Sequence, residues 1–309
     1  MIINSVASFF NDIISFNKEN KYKILEIKNN QEGKINVLCC VLSEMREIVL
    51  SLDDIIQNNK LKYFSTKDIV ELSNLFYTKN SNNFKIAPYH SKYLTILTQL
   101  FIIAFLASNI AAAKLVYFMG ITFSGGMVTF PLLYVINDIV TEVYGFRESR
   151  RIIWLALFLN FLLFSILYGI VYLPSYSNDI NHTAFNVVFS LSPRIFLASM
   201  CSYLIAEFLN SFTLAHLKIK FKGSYFGIRA LISTFCAALI DTAIFFCIVF
   251  IDVVNTNELI TNIILLAFVK VIYELLLLPI TINIVSFLKK HENLNIFEKP
   301  NLNSLNPFN

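Results

Sequence analysis

The sequence predicts an all-α membrane bundle of six transmembrane helices, preceded by a small α+β cytoplasmic domain. Three observations carry that expectation. Hydrophobic residues fill 56% of 309 positions, with 30 Phe and a mean hydropathy of +0.62, outside the range of soluble globular chains. The apolar excess is uneven: residues 1–90 hold eleven Lys/Arg and ten Asp/Glu, whereas long stretches after Lys92 hold almost none. Beyond that point, six runs reach the roughly 20 apolar residues that a helix needs to cross the hydrocarbon core.

The runs fall near 93–118, 126–146, 151–173, 195–216, 229–251 and 260–287, numbered here as spans 1 to 6. Basic residues stay on the cytoplasmic side of short loops. Arg147, Arg150 and Arg151 follow span 2; Lys218, Lys220, Lys222 and Arg229 follow span 4; Lys289, Lys290 and Lys299 follow span 6. The alternate loops, "GITFSG", "PSYSNDINH" and "DVVNTNE", contain neither Lys nor Arg. Both termini are therefore expected in the cytoplasm. No internal repeat stands out, which counts against an inverted-repeat architecture.

Residues 1–90 read as a separate unit, 91–290 as the membrane domain and 291–309 as a cytoplasmic tail. "KYKILEIK", "KINVLCCVL" and "REIVLSLDDII" are strand-like runs, and "STKDIVELSNLFY" opens on a Ser/Thr cap ahead of a helical pattern. This unit reads as an accessory domain, with regulatory ligand binding as the other option. Its balanced charge speaks against a nucleic-acid surface. Cys39, Cys40, Cys201, Cys236 and Cys247 form no CxxC pair and read as small apolar fillers; His90, His182, His216 and His291 have no metal-ligand spacing. No metal or cofactor is expected. "MIINSVASFF" lacks the basic start and small-residue cleavage site of a leader, so none is expected.

The informative residues are charges inside the spans, where each costs a few kcal/mol or more and usually faces a bundle interior or a wet cavity. Asp138 in span 2, Glu207 in span 4, Asp241 in span 5 and Lys270 in span 6 each fall roughly 15–18 Å from one face of a core about 30 Å thick. Glu142 and Glu274 lie one helical turn nearer the cytoplasm, on the faces of Asp138 and Lys270. Lys114 and Arg194, near span ends, can snorkel to the headgroups. Internal pairing, such as Lys270 with Glu274 or Asp241, would merely fix helix packing. Yet five acids against one deep lysine cannot all ionise in a dry site. Protons or a hydrogen-bond-donating solute must complete the set. Enzyme readings lack their patterns: Asp241 follows "ALI" rather than a GxGD context, "SGGM" is not GxSG, and no Walker A motif occurs.

At these residues the sequence resembles the queuosine precursor transporters, also called the vitamin uptake transporter family. The likeness runs over about residues 95–288. It rests on "SNIAAAK" with Asn109 and Lys114 and on "GGMVTFPLLYVINDIVTEVYGFRESRR" with Tyr134, Asp138 and Glu142. It continues through "RALISTFCAALIDTAIFF" with Asp241 and "VKVIYELLLLPI" with Lys270. Glu207 and Asn210 stand where the family pattern in span 4 has Gln and Asp three apart, a departure that bears on base preference.

The resemblance implies an importer in the bacterial inner membrane for 7-cyano-7-deazaguanine, 7-aminomethyl-7-deazaguanine or queuine, supplying tRNA modification. Such a protein would work as a secondary transporter, with protons as the candidate coupling ion. A guanine-like edge offers adjacent N–H donors that a carboxylate accepts in pairs. Asp138 and Asp241 are the expected acceptors, and Glu142 and Glu274 the expected proton handlers or partners of an aminomethyl cation. Lys270 would be the counter-charge, Glu207 a further acid and Asn109 an orienting amide. Tyr134, with Phe130 and Phe245, could stack on the ring. Two other readings stay open: a substrate-capturing subunit that needs a separate ATP-driven module, and a membrane scaffold for the N-terminal domain.

Overall fold

The computed structural model describes residues 20–29, 35–58, 60–83, 91–118, 121–174, 180–189, 193–250, 255–292 and 294–300. "MIINSVASFF", His90 and residues 301–309 lie outside these, as do parts of the three loops without basic residues. The chain is a multi-pass membrane protein. Six helices are long and apolar enough to cross a bilayer: Lys92–Ala111, Gly126–Tyr144, Phe146–Val171, Arg194–Lys220, Phe226–Val249 and Thr256–Glu292. They correspond to spans 1 to 6.

Ahead of them lies the expected α+β unit. Strands β1 (Tyr22–Asn29), β2 (Ile35–Val41) and β3 (Arg46–Ser51) form an antiparallel sheet in that order, with Ile27 opposite Val37 and Val37 opposite Leu50. Alternation along β2 buries Ile35, Val37 and Cys39, the period of two that gives a strand one apolar face. Helices α1 (Leu52–Gln57) and α2 (Thr66–Asn83) contribute Leu52, Ile55, Ile69 and Leu72 to the same core. Each begins on a serine: Ser51 Oγ accepts from the Asp54 amide at 3.1 Å, and Ser65 Oγ from the Asp68 amide at 3.3 Å, satisfying donors that a helix start leaves free. Burial pushes the Cys39 thiol up to about 11, so it stays protonated and unreactive at physiological pH.

Span 1 is shorter than expected. Ser91 caps it, accepting from the Leu94 amide at 3.1 Å, but the helix ends at Ala111. The chain then turns into a hairpin of β4 (Leu115–Phe118) and β5 (Ile121–Ser124). "LVYF" and "ITFS" are rich in aromatic and β-branched residues that suit strands, and this preference overrides their apolar, span-like appearance. The hairpin marks one end of the bundle and the sheet domain the other.

Span 2 touches all five other spans, which explains why the polar face of "FPLLYVINDIVTEVYG" can meet so many partners. Pro131 opens its long segment, where a missing amide hydrogen costs nothing. Gly145 closes it with φ 90 and ψ 172, a conformation essentially confined to glycine. A Cβ there would also lie 3.0 Å from Glu298 Oε2 and 3.2 Å from Ile296 Cγ2. Gly145→Ala should therefore cost about 1–3 kcal/mol, lowering the Tm of purified protein by several degrees; an unchanged Tm would contradict this backbone assignment.

The tail packs on both parts. Leu294 belongs to the membrane-domain core and Phe297 to the core of the sheet domain. The Phe297 amide donates to Ser73 Oγ at 3.2 Å, and Lys222 Nζ donates to Asn20 Oδ1. Residues 294–299 thus join the sheet domain to the adjacent end of the bundle.

Candidate functional site

The buried polar residues of the bundle form three tiers. The first borders a cavity of about 350 Å³ toward the hairpin end. Ser108 and Asn109 of span 1 and Ser199 and Ser202 of span 4 supply polar walls, and Phe130, Phe245 and Phe246 supply rings. Asp241 and Lys270 also line it, and Lys270 Nζ donates to Asp241 Oδ2. The ammonium lies 3.5 Å from Thr242 Oγ1 and 5.0 Å from the centroid of the Phe130 ring, within cation–π range. Asn109 is fixed from three sides. Its Nδ2 donates to the Phe105 carbonyl at 3.0 Å and to Asn160 Oδ1 at 3.4 Å, while its Oδ1 accepts from Ser199 Oγ at 2.9 Å. Gly126 forms part of the wall because the backbone is crowded there: a Cβ would stand 2.7 Å from the Ser108 carbonyl oxygen.

The second tier lies next to it, in the core of the bundle. Asp138 Oδ1 accepts from Asn210 Nδ2 at 2.7 Å. Its side chain also faces Glu274, which faces Thr234 in turn. Glu207 Oε2 accepts from Asn137 Nδ2 at 2.6 Å, and Asn137 Oδ1 accepts from Ser149 Oγ at 2.5 Å and Ser211 Oγ at 3.1 Å. Tyr134 stands among Asp241, Glu207, Glu274 and Asp138, within electrostatic reach of all four. Among the described residues, Tyr134 Oη, Asp138 Oδ2, Glu207 Oε1 and both Glu274 oxygens are buried with no well-formed hydrogen bond, and Asp138, Glu274 and Thr234 meet only in looser contact. Buried polar atoms are nearly always paired, so this tier around Tyr134 is a candidate functional site.

The third tier lies toward the sheet domain and centres on Glu142. Arg229 binds it bidentately, Nη1 to Oε2 at 2.8 Å and Nη2 to Oε1 at 3.1 Å. Lys289 Nζ donates to Oε1 at 2.5 Å, and Lys218 Nζ donates to the Glu142 carbonyl at 2.5 Å and the Ile296 carbonyl at 2.7 Å. Glu142 and Arg229 are both fully buried.

The eight residues singled out from the sequence therefore divide. Asn109, Asp241 and Lys270 share the cavity; Tyr134, Asp138, Glu207 and Glu274 share the tier beside it; Glu142 is turned away into an ion knot. Asp138 and Glu142 share a face of span 2 as expected, but one helical turn separates their partners. Sequence reasoning passed over Asn137, Ser149 and Ser211, carried Thr234 and Arg229 only within the family-like run of span 5, and used Lys218 and Lys289 only as orientation signals. Asn137 was the findable one, since an amide beside a deep aspartate inside a span is itself uncommon.

Six helices able to cross a membrane around a part-polar cavity, with Asp241 of span 5 and Lys270 of span 6 in its wall, are the architecture of a membrane transporter. The family model described as "Putative vitamin uptake transporter" matches residues 124–284, which include spans 2 to 5 and most of span 6. The chain belongs to that family, a transporter family and not an enzyme family. It is also 26% identical over 151 residues to "Probable queuosine precursor transporter" of Bacillus subtilis (strain 168); the match covers 48% of this chain and 66% of that protein. No solved structure matches.

Proposed function

We propose that this protein imports a queuosine precursor, a 7-deazaguanine base, across the inner membrane, with both termini in the cytoplasm and the hairpin outside. The observation that carries the reading is the Asp241–Lys270 pair in the wall of an aromatic-lined cavity, in a chain of the vitamin uptake transporter family. A flat base fits between Phe130 and Phe245, with its donor edge toward Asp241 and an acceptor edge toward Lys270. The cavity has the size that small-ligand pockets take. Asn109, already held at three points, offers little freedom and so orients rather than adapts.

The tier behind the cavity supplies the coupling. Asp138 and Glu274 face each other, and two such carboxyls cannot both carry charge in a dry site. They share a proton, and an aminomethyl cation or a second proton would displace it. Glu207 and Tyr134 extend the same relay. The Glu142 knot then closes the cytoplasmic half, so that the protein opens to the outside on one side only. The proton gradient, rather than a separate ATP-driven module, supplies the energy, because these buried carboxyls lie beside the binding cavity. Residues 1–90 act as an accessory domain on the cytoplasmic mouth.

The test is restoration of queuosine in tRNA, and uptake of labelled base, in a host without its own synthesis or uptake, with each candidate base supplied. Expression of this chain alone should suffice. Asp138→Asn should reduce uptake about 10- to 100-fold, the loss of one charge-assisted interaction. Wild-type uptake by that variant, or dependence on an added ATPase, would remove the coupling proposal.

A further inference from the structure

A second cleft, of about 420 Å³, lies between the sheet domain and the adjacent end of the bundle. Four lysines line it from three separate parts of the fold. Lys62 comes from the short helical turn Lys60–Tyr63 of the sheet domain, Lys222 from the loop between spans 4 and 5, and Lys289 and Lys290 from the last turn of span 6. Ser224 and Ser286 add hydroxyl groups, and Phe76, Leu294 and Phe297 an apolar side. No carboxylate lines the cleft among the described residues. Lys289 reaches out of it to Glu142, which already holds Arg229. Lys222 donates to the neutral amide of Asn20, and Lys62 lies 5.2 Å from the Tyr63 ring.

Bringing four ammonium groups to one concavity is unfavourable without a counter-ion, because low-dielectric walls focus the field. Burial pushes the Lys222 ammonium below its ordinary value, which is what an uncompensated cation in a cleft undergoes. A single carboxylate would leave most of the charge unmet. A phosphate group carries nearly two charges and three strong acceptor oxygens, matching lysines and hydroxyls that approach from several directions. The volume exceeds that of bare phosphate, and the apolar side gives an attached organic group somewhere to lie.

We infer that this interdomain cleft is a binding site for a phosphate-bearing ligand, either a soluble phosphomonoester or the headgroup of an anionic lipid. Both present anionic phosphate oxygens, with nearly two charges on the monoester and one on the diester of a lipid, and the cleft lies where the last turn of span 6 leaves the bilayer, within reach of either source. Lys289 belongs both to the cleft and to the Glu142 knot. A bound phosphate therefore competes with Glu142 for it, linking occupancy of the cleft to the closure of the bundle at that end.

The experiment uses the full chain in nanodiscs and reads Tm, so it does not depend on which solute is transported. One arm adds inorganic phosphate or adenosine 5′-monophosphate to phosphatidylcholine nanodiscs; the other compares phosphatidylcholine nanodiscs with and without phosphatidylglycerol. Tm should rise by about 5 °C at a ligand level about 100 times the dissociation constant. A rise in the first arm identifies a soluble ligand, and a rise only in the second a lipid headgroup. Lys62→Gln with Lys290→Gln should weaken either effect at least about tenfold, whereas Lys62→Arg with Lys290→Arg should retain it. No rise in either arm, or a rise indifferent to the glutamine pair, overturns the assignment.

Discussion

Glu142→Gln should be the most damaging single change in the bundle. It removes the carboxylate that Arg229, Lys218 and Lys289 share, the only one they have in common among the described residues, at a position where Glu142 and Arg229 are both fully buried. Leaving a buried cation unpaired costs about 3–5 kcal/mol, enough to lower Tm by roughly 10 °C in a chain of this size. The bidentate contact gives the prediction its internal control. Arg229→Gln alone should be similarly harmful, yet the double variant should lose clearly less than the sum of the two, because the partners fail together. Additive losses would mean that the two side chains do not interact. Glu142→Asp, which keeps the charge but withdraws it by one methylene, should fall between wild type and Glu142→Gln.

Lys270→Met should abolish uptake and cost about 3–5 kcal/mol by stranding Asp241 in the membrane interior. Stability alone cannot tell a binding pair from a packing pair, so the informative variant is Lys270→Met with Asp241→Asn. Replacing both charges by neutral groups is often close to neutral for stability, and the double variant should recover most of its Tm. Uptake should nevertheless stay down by at least about 100-fold, since a base docked on that wall loses its two-oxygen carboxylate acceptor and its ammonium donor. Recovery of uptake together with Tm would show that the pair only holds spans 5 and 6 together. That outcome would move the binding site away from this wall.

The two variants probe opposite ends of the bundle. The cavity reaches the hairpin end of the bundle, and the Glu142 knot occupies the end beside the sheet domain, with Asp138, Glu274, Glu207 and Tyr134 between. Import would require the knot to loosen while the cavity closes. The tail makes that movement costly. Ile296 accepts from Lys218 at 2.7 Å, and the Phe297 ring lies 4.8 Å from the same ammonium while its side chain is packed in the sheet domain. On the two proposals above, a ligand in the lysine cleft and a substrate in the cavity would act on one set of contacts from two sides.

Much of this protein was legible in the sequence. Length and apolarity alone placed all six spans, because nothing but a helix of about 20 residues satisfies its own backbone across a lipid core. Alternation along "KINVLCCVL" and the serine before "TKD" placed a strand and a helix start in the sheet domain. The deep charges were identifiable for the same energetic reason, since an acid inside a span needs a partner that lipid cannot provide. Where span 1 ends was not legible, because "LVYF" and "ITFS" are as apolar as a membrane helix, and only their pairing with each other made them strands.

What the tertiary structure alone decided is which partner each charge meets. A period of 3.6 residues puts Asp138 and Glu142 on one face, but it says nothing about the neighbour at each height. Arg229 lies 87 residues from Glu142 and Lys289 lies 147 residues from it, and their meeting depends on how spans 2, 5 and 6 rotate against one another. That rotation is set by packing over all five contacts of span 2, a sum that no local pattern contains. So the sequence determined that buried acids exist in the spans; packing decided their levels, splitting Asp138 and Glu207 from Asp241 and Lys270, and Glu274 from Glu142, and it assigned Asp241 to the cavity, Asp138 and Glu274 to each other, and Glu142 to the knot.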